Sequence, residues 1–202
     1  MRRRTPFSDV YGHERGTPVD RLYIDGWVRR HAADLTGHVM EVQNPYYVGR
    51  FATPAQVTIV DLTPSNPRAT LIADLNEPDS LPAGRFDAII LTQVLQYLDP
   101  QPALANLWRA LAPGGVLLLT VPALGRIDPD IPDLDKWRWT VQGLRAELDR
   151  AGITGQVEGF GNVLAGVCAL YGLAVQDVST EELLRSDPAF PLTVCARAVR
   201  DP

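Results

Sequence analysis

Three carboxylates interrupt or close apolar runs in the first half of the chain. Glu41 lies in Val39-Met40-Glu41-Val42, Asp61 near the end of Val57-Thr58-Ile59-Val60-Asp61-Leu62, and Asp74 near the end of residues 69–75. An acid at the mouth of a buried strand can take hydrogen bonds from the hydroxyls or amino groups of a ligand. Asp61 stands about twenty residues after the first run, the interval at which an acid accepts both ribose hydroxyls of an adenine nucleoside. It can equally cap its own loop, since Thr63 and Ser65 stand close by. His13, one of three histidines, is a candidate base for a hydroxyl proton near neutral pH or a plain surface-loop residue. Trp137-Arg138-Trp139 reads as a substrate wall carrying a cation or, preferably, as an anchor tying a loop to the core. Arg15, Asp20 and Arg21 suit an ion-paired helix start that closes over a site.

The elements that must position these groups alternate between strand and helix. The most regular stretch is FDAIILTQVLQYLDPQPALANLWRALAPGGVLLLTVP, residues 86–122. Ala88-Ile89-Ile90-Leu91 and Val116-Leu117-Leu118-Leu119-Thr120-Val121 read as strands buried on both faces. Between them Leu104, Leu107, Trp108 and Leu111 recur at helical spacing. Asp99-Pro100 suits the helix start and Pro113-Gly114-Gly115 its end. Strand, helix and strand form a right-handed, parallel βαβ unit.

Upstream, Thr17-Pro18-Val19-Asp20 predicts a helix with Thr17 as cap, ending at Gly37. Strands are expected over 39–42, 57–62 and 69–75. Downstream come helices capped by Thr140 and Asn162, a possible strand over 153–160, a short helix at 180–184, and a last strand over 192–199. This is an α/β fold with a mostly parallel sheet. Ligands bind such sheets beyond the carboxyl ends of the strands. On fold grounds the site residues are therefore Glu41, Gln43, Tyr47, Asp61, Asp74, Leu75, Thr92 and Gln93. Residues 1–37 read as a helical cap and 38–202 as the core of a single domain.

Composition narrows the function. The chain has 202 residues, 46% of them hydrophobic, and a net charge of −5. That is enough for one full core, and its acidity argues against nucleic acid as partner. Arg2-Arg3-Arg4 reads as a solvated terminus. The two cysteines, Cys168 and Cys195, sit in apolar runs and read as reduced, buried residues. No Cys/His cluster has metal-ligand spacing, so no metal is expected. No stretch reads as a signal peptide or a membrane span, so a cytoplasmic protein is expected.

The stretch 86–122 resembles the second half of a class I S-adenosylmethionine (SAM) dependent methyltransferase, with its FD-I strand and PGG turn. HERGTPVDRLYIDGWVRRHAAD at 13–34, then TQVLQYL, PGGVLLLTVP, WRWT, Gly161-Asn162 and Asp187-Pro188-Ala189-Phe190-Pro191 widen the likeness. Together they are similar to a group of bacterial methyltransferase-like proteins found beside or fused to glycosyltransferases. The resemblance implies a Rossmann-like sheet of about seven strands, with the last strand antiparallel between its neighbours. It implies SAM as cofactor, Asp74 at the adenine amino group and Leu75 against the ring, although Asp74 reads equally as a surface acid in a polar loop. It further implies a small hydroxylated acceptor such as a sugar and a pathway shared with glycosyltransferases; the sequence leaves the oligomeric state open, a homodimer being one option.

One segment departs from the class pattern. Glu41-Val42-Gln43-Asn44-Pro45-Tyr46-Tyr47-Val48-Gly49 carries no Gly-x-Gly after the first strand. Side chains and Pro45 occupy space that glycines usually leave for the cofactor. A methyltransferase-like scaffold that has lost methyl transfer, serving as a binding partner or a cofactor-independent enzyme, is the alternative.

Overall fold

A computed structural model describes residues 4–201; Arg2 and Arg3 of the basic triplet lie outside the described residues. Seven strands form one sheet: β1 (His38–Val42), β2 (Gln56–Asp61), β3 (Leu71–Ile72), β4 (Phe86–Thr92), β5 (Leu111–Pro122), β6 (Gly155–Phe160) and β7 (Thr193–Val199). Their order is β3-β2-β1-β4-β5-β7-β6. Pairings from β3 to β5 are parallel, and β7 runs antiparallel to both β5 and β6. The expected sheet is present, with its antiparallel strand in place. The third strand is the exception, since only Leu71 and Ile72 of residues 69–75 pair. Among the described residues its outer edge has no neighbouring strand, and Leu75 turns into the core instead.

Alternation in β4 explains how the sheet is covered. Ile89 and Leu91 face one side with Leu117 and Leu119 of β5, under α3 (Pro100–Ala110) and α4 (Val141–Arg150). Ala88 and Ile90 face the other side with Leu118, under α1 (Val19–Arg30) and α2 (Val48–Phe51). Both faces are thus apolar, and each fully buried Leu or Ile contributes roughly 1.5–3 kcal/mol. α5 (Val163–Leu170) and α6 (Thr180–Leu184) form a third small core with α1 through Val19, Tyr23, Ala165 and Leu183. Among the described residues no helix is long and apolar enough to cross a membrane.

Helix ends follow local chemistry with some departures. Thr140 accepts from Gly143 N at 3.0 Å and Asn162 accepts from Ala165 N at 2.9 Å, as N-caps. Asp99 does not cap α3; its carboxylate pairs with Lys136 at 3.0 Å, while Pro100 fills the first helical position. α1 begins after Pro18 rather than Thr17, and Thr17 bonds Gln176 instead, its N donating to Gln176 Oε1 at 2.9 Å and its Oγ1 accepting from Gln176 Nε2 at 3.4 Å. It ends at Arg30, and a 3-10 turn over Ala32–Asp34 carries the chain on to Gly37.

The segment before α1 is strapped to the chain after α5. Phe7 N donates to Tyr171 O at 2.7 Å, Arg15 makes a bidentate pair with Asp177 at 2.8 Å, and Pro18 bridges to Ala174. Two glycines permit the close approach. A Cβ on Gly12 (φ 86°) would come within 2.9 Å of Gly172 O, and one on Gly172 (φ 66°) within 2.5 Å of Ser8 O.

Candidate active site

The strand order fixes where a ligand can sit. The chain winds outward from β1 through β2 to β3, then crosses back to β4 on the other side of β1. The carboxyl ends of β1 and β4 therefore diverge, and a crevice opens there. A cavity of about 680 Å³ occupies it, within the range of small-molecule sites. Its walls are the ends of β1 and β4, the start of α1, the loop after β5 and the first residue of β7.

Glu41 is the buried anchor of this end. It is 3% exposed, and its two carboxylate oxygens accept from Tyr47 N at 2.9 Å and Val48 N at 3.0 Å. The chain after β1 is thereby folded back onto the strand and enters α2. Burial pushes the Glu41 carboxyl up to about 7, with the backbone hydrogen bonds opposing the rise. Its proton thus equilibrates near neutral pH.

The turns beside it are tight and glycine-free. Gln43 has φ 66° and Gln93 φ 54°, both left-handed. Gln43 N donates to Val60 O at 2.8 Å, and its carbonyl accepts from Asn66 Nδ2 at 2.7 Å. Gln93 N donates to Thr120 O at 2.8 Å, and its side chain donates to Thr120 Oγ1 at 3.3 Å. Across the mouth, Arg21 donates to the Tyr47 hydroxyl at 3.2 Å and lies 3.9 Å from Asp20. Burial pushes the Tyr47 phenol up to about 12. Arg15 is not part of that group, because it is committed to Asp177.

The structure brings Glu41, Gln43, Tyr47, Thr92, Gln93 and the exposed His13 to one cavity. Asp61, Asp74 and Leu75 are not among its walls. Asp61 accepts from Thr63 N at 3.1 Å and from Asn66 Nδ2 at 2.7 Å, so it holds its own loop. Asp74 accepts from Asn76 N at 2.9 Å, and Leu75 is buried in the main core. Each carboxylate retains acceptor capacity beyond these bonds.

Gln96, Tyr97, Asp128 and Thr193, which the strand ends do not predict, also wall the cavity. Gln96 was visible within TQVLQYL, whose second Gln stands a turn beyond the strand. Asp128 becomes a wall only through the path of its loop. Arg138 grips Asp135 at 2.5 and 2.9 Å and the Arg126 carbonyl at 2.6 Å, Trp137 Nε1 donates to Leu98 O at 3.0 Å, and Trp139 is buried. The Trp-Arg-Trp triplet anchors that loop, and Arg138 faces the cavity as well.

Residues 40–119 match the family model described as a methyltransferase domain. No curated protein matches the chain significantly. A SAM-dependent methyltransferase from Mesorhizobium loti is 19% identical, with a TM-score of 0.62 over 90% of this chain and 100% of that one. A SAM-dependent methyltransferase from Archaeoglobus fulgidus is 14% identical, with a TM-score of 0.58 over 89% of this chain and 94% of that one. The [4+2]-cyclase SpnF is 17% identical, with a TM-score of 0.59 over 98% of this chain and 86% of that one. At these identities the likeness is one of fold. The architecture is the Rossmann-like fold of class I SAM-dependent methyltransferases, and residues 40–119 within it carry the methyltransferase-domain match.

Proposed function

We propose that the protein is a SAM-dependent methyltransferase acting on an oxygen of a small hydroxylated acceptor, with a sugar as the first candidate. The observation that carries this reading is the cavity at the switch between β1 and β4, with the buried Glu41 carboxylate in its wall. A buried carboxylate near its titration midpoint favours a cationic ligand, because a positive charge nearby stabilises its ionised form. SAM carries both an ammonium and a sulfonium group.

The residues present fit the cofactor chemically. Glu41 and the turn at Gln43 would meet its amino-acid end, and Asp61 and Asp74 keep acceptor capacity for its ribose and adenine from outside the cavity wall, whereas Leu75 is buried in the main core and offers the adenine ring no face. When bound, SAM supplies an electrophilic methyl group. The chain's task is then to exclude water, align the acceptor oxygen and hold its proton. The strap over residues 4–18 and the Arg21–Tyr47 contact narrow the mouth. His13 is the candidate for the proton. The sugar rests on the likeness to proteins encoded beside glycosyltransferases, and a shared pathway follows from the same likeness.

A second reading is favoured by one observation: the glycine-free turn at Gln43, on a fold that also carries a [4+2]-cyclase. Here the scaffold has given up methyl transfer. Calorimetric titration with SAM and S-adenosylhomocysteine separates the two. Micromolar binding supports the transferase, and no binding at millimolar ligand supports the second reading.

A further inference from the structure

The cavity has two flanks, and their chemistry differs. Asp61 and Asp74 belong to the β2–β3 side of the sheet. The opposite flank is built by Gln96 after β4, by Thr193 opposite Pro122 where β7 meets β5, and by the loop carrying Asp128 and Arg138. Six buried side-chain polar atoms find no partner among the described residues, and three of them belong to residues that line this flank: Gln96 Oε1, Thr193 Oγ1 and Arg138 Nε. Gln96 is 4% exposed and Thr193 1% exposed. Buried polar atoms are otherwise almost always paired, so three on one cavity wall point to a ligand.

The orientation of Gln96 is set by its surroundings. Its amide nitrogen donates to the Gln93 carbonyl at 2.9 Å, and a flipped amide would set oxygen against oxygen there. The unpaired atom is therefore an acceptor, and it asks for a donor. Arg138 Nε is a donor and asks for an acceptor, while Thr193 Oγ1 does either. A hydroxyl both donates and accepts, so several hydroxyls on one molecule would satisfy all three atoms. Nearby, Tyr97 donates to Asp128 Oδ2 at 2.9 Å. The cavity's carboxylates, Glu41, Asp20, Asp128 and Asp135, are nearly balanced by Arg21, Arg126 and Arg138. That balance suits a neutral molecule better than a phosphate or a carboxylic acid.

We infer that the flank formed by Gln96, Thr193 and Arg138 seats a neutral polyhydroxylated acceptor, and that Gln96 Oε1 selects it by taking a hydrogen bond from one of its hydroxyls. The inference rests on the transferase reading for its use, but the subsite stands on its own chemistry. Gln96 is a specificity residue here, and methyl transfer itself is assigned to no atom of it.

The test uses the full chain saturated with S-adenosylhomocysteine. Saturation-transfer NMR measures binding of methyl hexopyranosides, inositol and a ribonucleoside to wild type, Gln96→Met and Thr193→Val. Calorimetry measures S-adenosylhomocysteine on the same proteins, and melting curves confirm folding. Loss of one neutral hydrogen bond should weaken the best polyol about five- to tenfold in Gln96→Met, with S-adenosylhomocysteine affinity unchanged. Thr193→Val, which keeps the shape, should weaken it less. Equal polyol binding by wild type and Gln96→Met overturns the inference while leaving the transferase reading intact. So does an equal loss of S-adenosylhomocysteine, which would assign Gln96 to the cofactor. If none of the polyols binds wild type, the subsite is refuted. If S-adenosylhomocysteine fails to bind wild type but a polyol binds through Gln96, the transferase reading falls and the subsite stands.

Discussion

Gln43 and Gln93 end adjacent parallel strands, and both hold left-handed backbone, at φ 66° and 54°. Neither is the glycine or asparagine that such a conformation favours. For an ordinary side chain it costs roughly 1–2 kcal/mol. Gln43 accepts from Asn66 and Gln93 donates to Thr120, so both are tied to neighbouring elements, and both face the cavity. Strain of this kind gathers where a site is pre-shaped.

Replacing Gln43 by Gly should therefore stabilise the fold. Relief of the backbone should exceed the added entropy of the unfolded chain, leaving a net gain of about 0.5–1 kcal/mol. For a domain of this size that is a rise of about 1–4 °C in Tm. Gln93→Gly should gain less, because it also removes the bond to Thr120 Oγ1. Differential scanning calorimetry on both variants checks the order, and a fall in Tm for Gln43→Gly would contradict it.

The pH dependence follows from Glu41. Its ordinary value of 4.5 is raised to about 7 by burial, so the folded state binds the extra proton between these limits. Stability from this group is fully present below about pH 4.5 and is lost as pH rises through about 7. The whole effect is on the order of 3 kcal/mol. Affinity for SAM should move the opposite way and rise between about pH 6 and pH 8, as the carboxylate ionises beside a cation. Glu41→Gln should flatten both profiles. A SAM affinity that falls over the same interval in wild type would exclude a cationic group at Glu41.

Much of this fold was legible because the signals were redundant. Apolar runs at 88–91 and 116–121 fixed two central strands, and Gly, Pro and Asn marked most helix ends. The third strand is shorter than its sequence run, because residues 69–75 look the same whether they pair along their length or only at Leu71 and Ile72. Half of the cavity was legible from strand ends. Thr193 and Asp128 were not, because they reach the wall through the antiparallel return of β7 and the path of a long loop. The unpaired oxygen of Gln96 appears only once its neighbours are known.

The N-terminal segment should separate into two roles. Residues 4–15 form the lip of the cavity and rest on 171–177, whereas α1 buries Ile24, Trp27 and Val28 against the sheet. Deleting residues 1–16 should leave a folded protein with weaker ligand binding. Deleting residues 1–37 should expose the face carrying Val39, Ile90 and Leu118, and the cooperative melt should disappear. Unchanged S-adenosylhomocysteine affinity in the shorter deletion would refute the lip's role in binding.

Leu118 tests the centre of the sheet. It is fully buried on the α1 face between Ile90 and the β7 pairing. Leu118→Ala should cost about 2–5 kcal/mol, because the lost methyl groups leave a cavity in a closely packed core. Urea unfolding measures this directly. A change below about 0.5 kcal/mol, the size of an ordinary surface substitution, would show that β5 is not central.

Asp61 decides between a ligand residue and a loop residue, and its bonds now make the contest specific. Asn66 Nδ2 donates to both Asp61 Oδ2 and the Gln43 carbonyl, at 2.7 Å each. Asp61 is therefore coupled to the turn at the cavity wall, even though it is no wall residue itself. Asp61→Ala would remove two acceptors for ribose hydroxyls and also free Asn66. Charged hydrogen bonds contribute roughly 1.5–3 kcal/mol each, reduced here by exposure of the loop. SAM affinity should fall by about ten- to a hundredfold. Asp61→Asn keeps one acceptor oxygen and should fall less, and Asp74→Asn should cost less than Asp61→Ala for the same reason. Asn66→Ala separates the two roles, because it releases the Gln43 carbonyl and leaves the Asp61 carboxylate in place. If Asp61 binds ribose, Asn66→Ala should weaken SAM far less than Asp61→Ala does. If Asp61 serves only to hold Asn66, the two variants should lose affinity equally, and the ribose assignment falls.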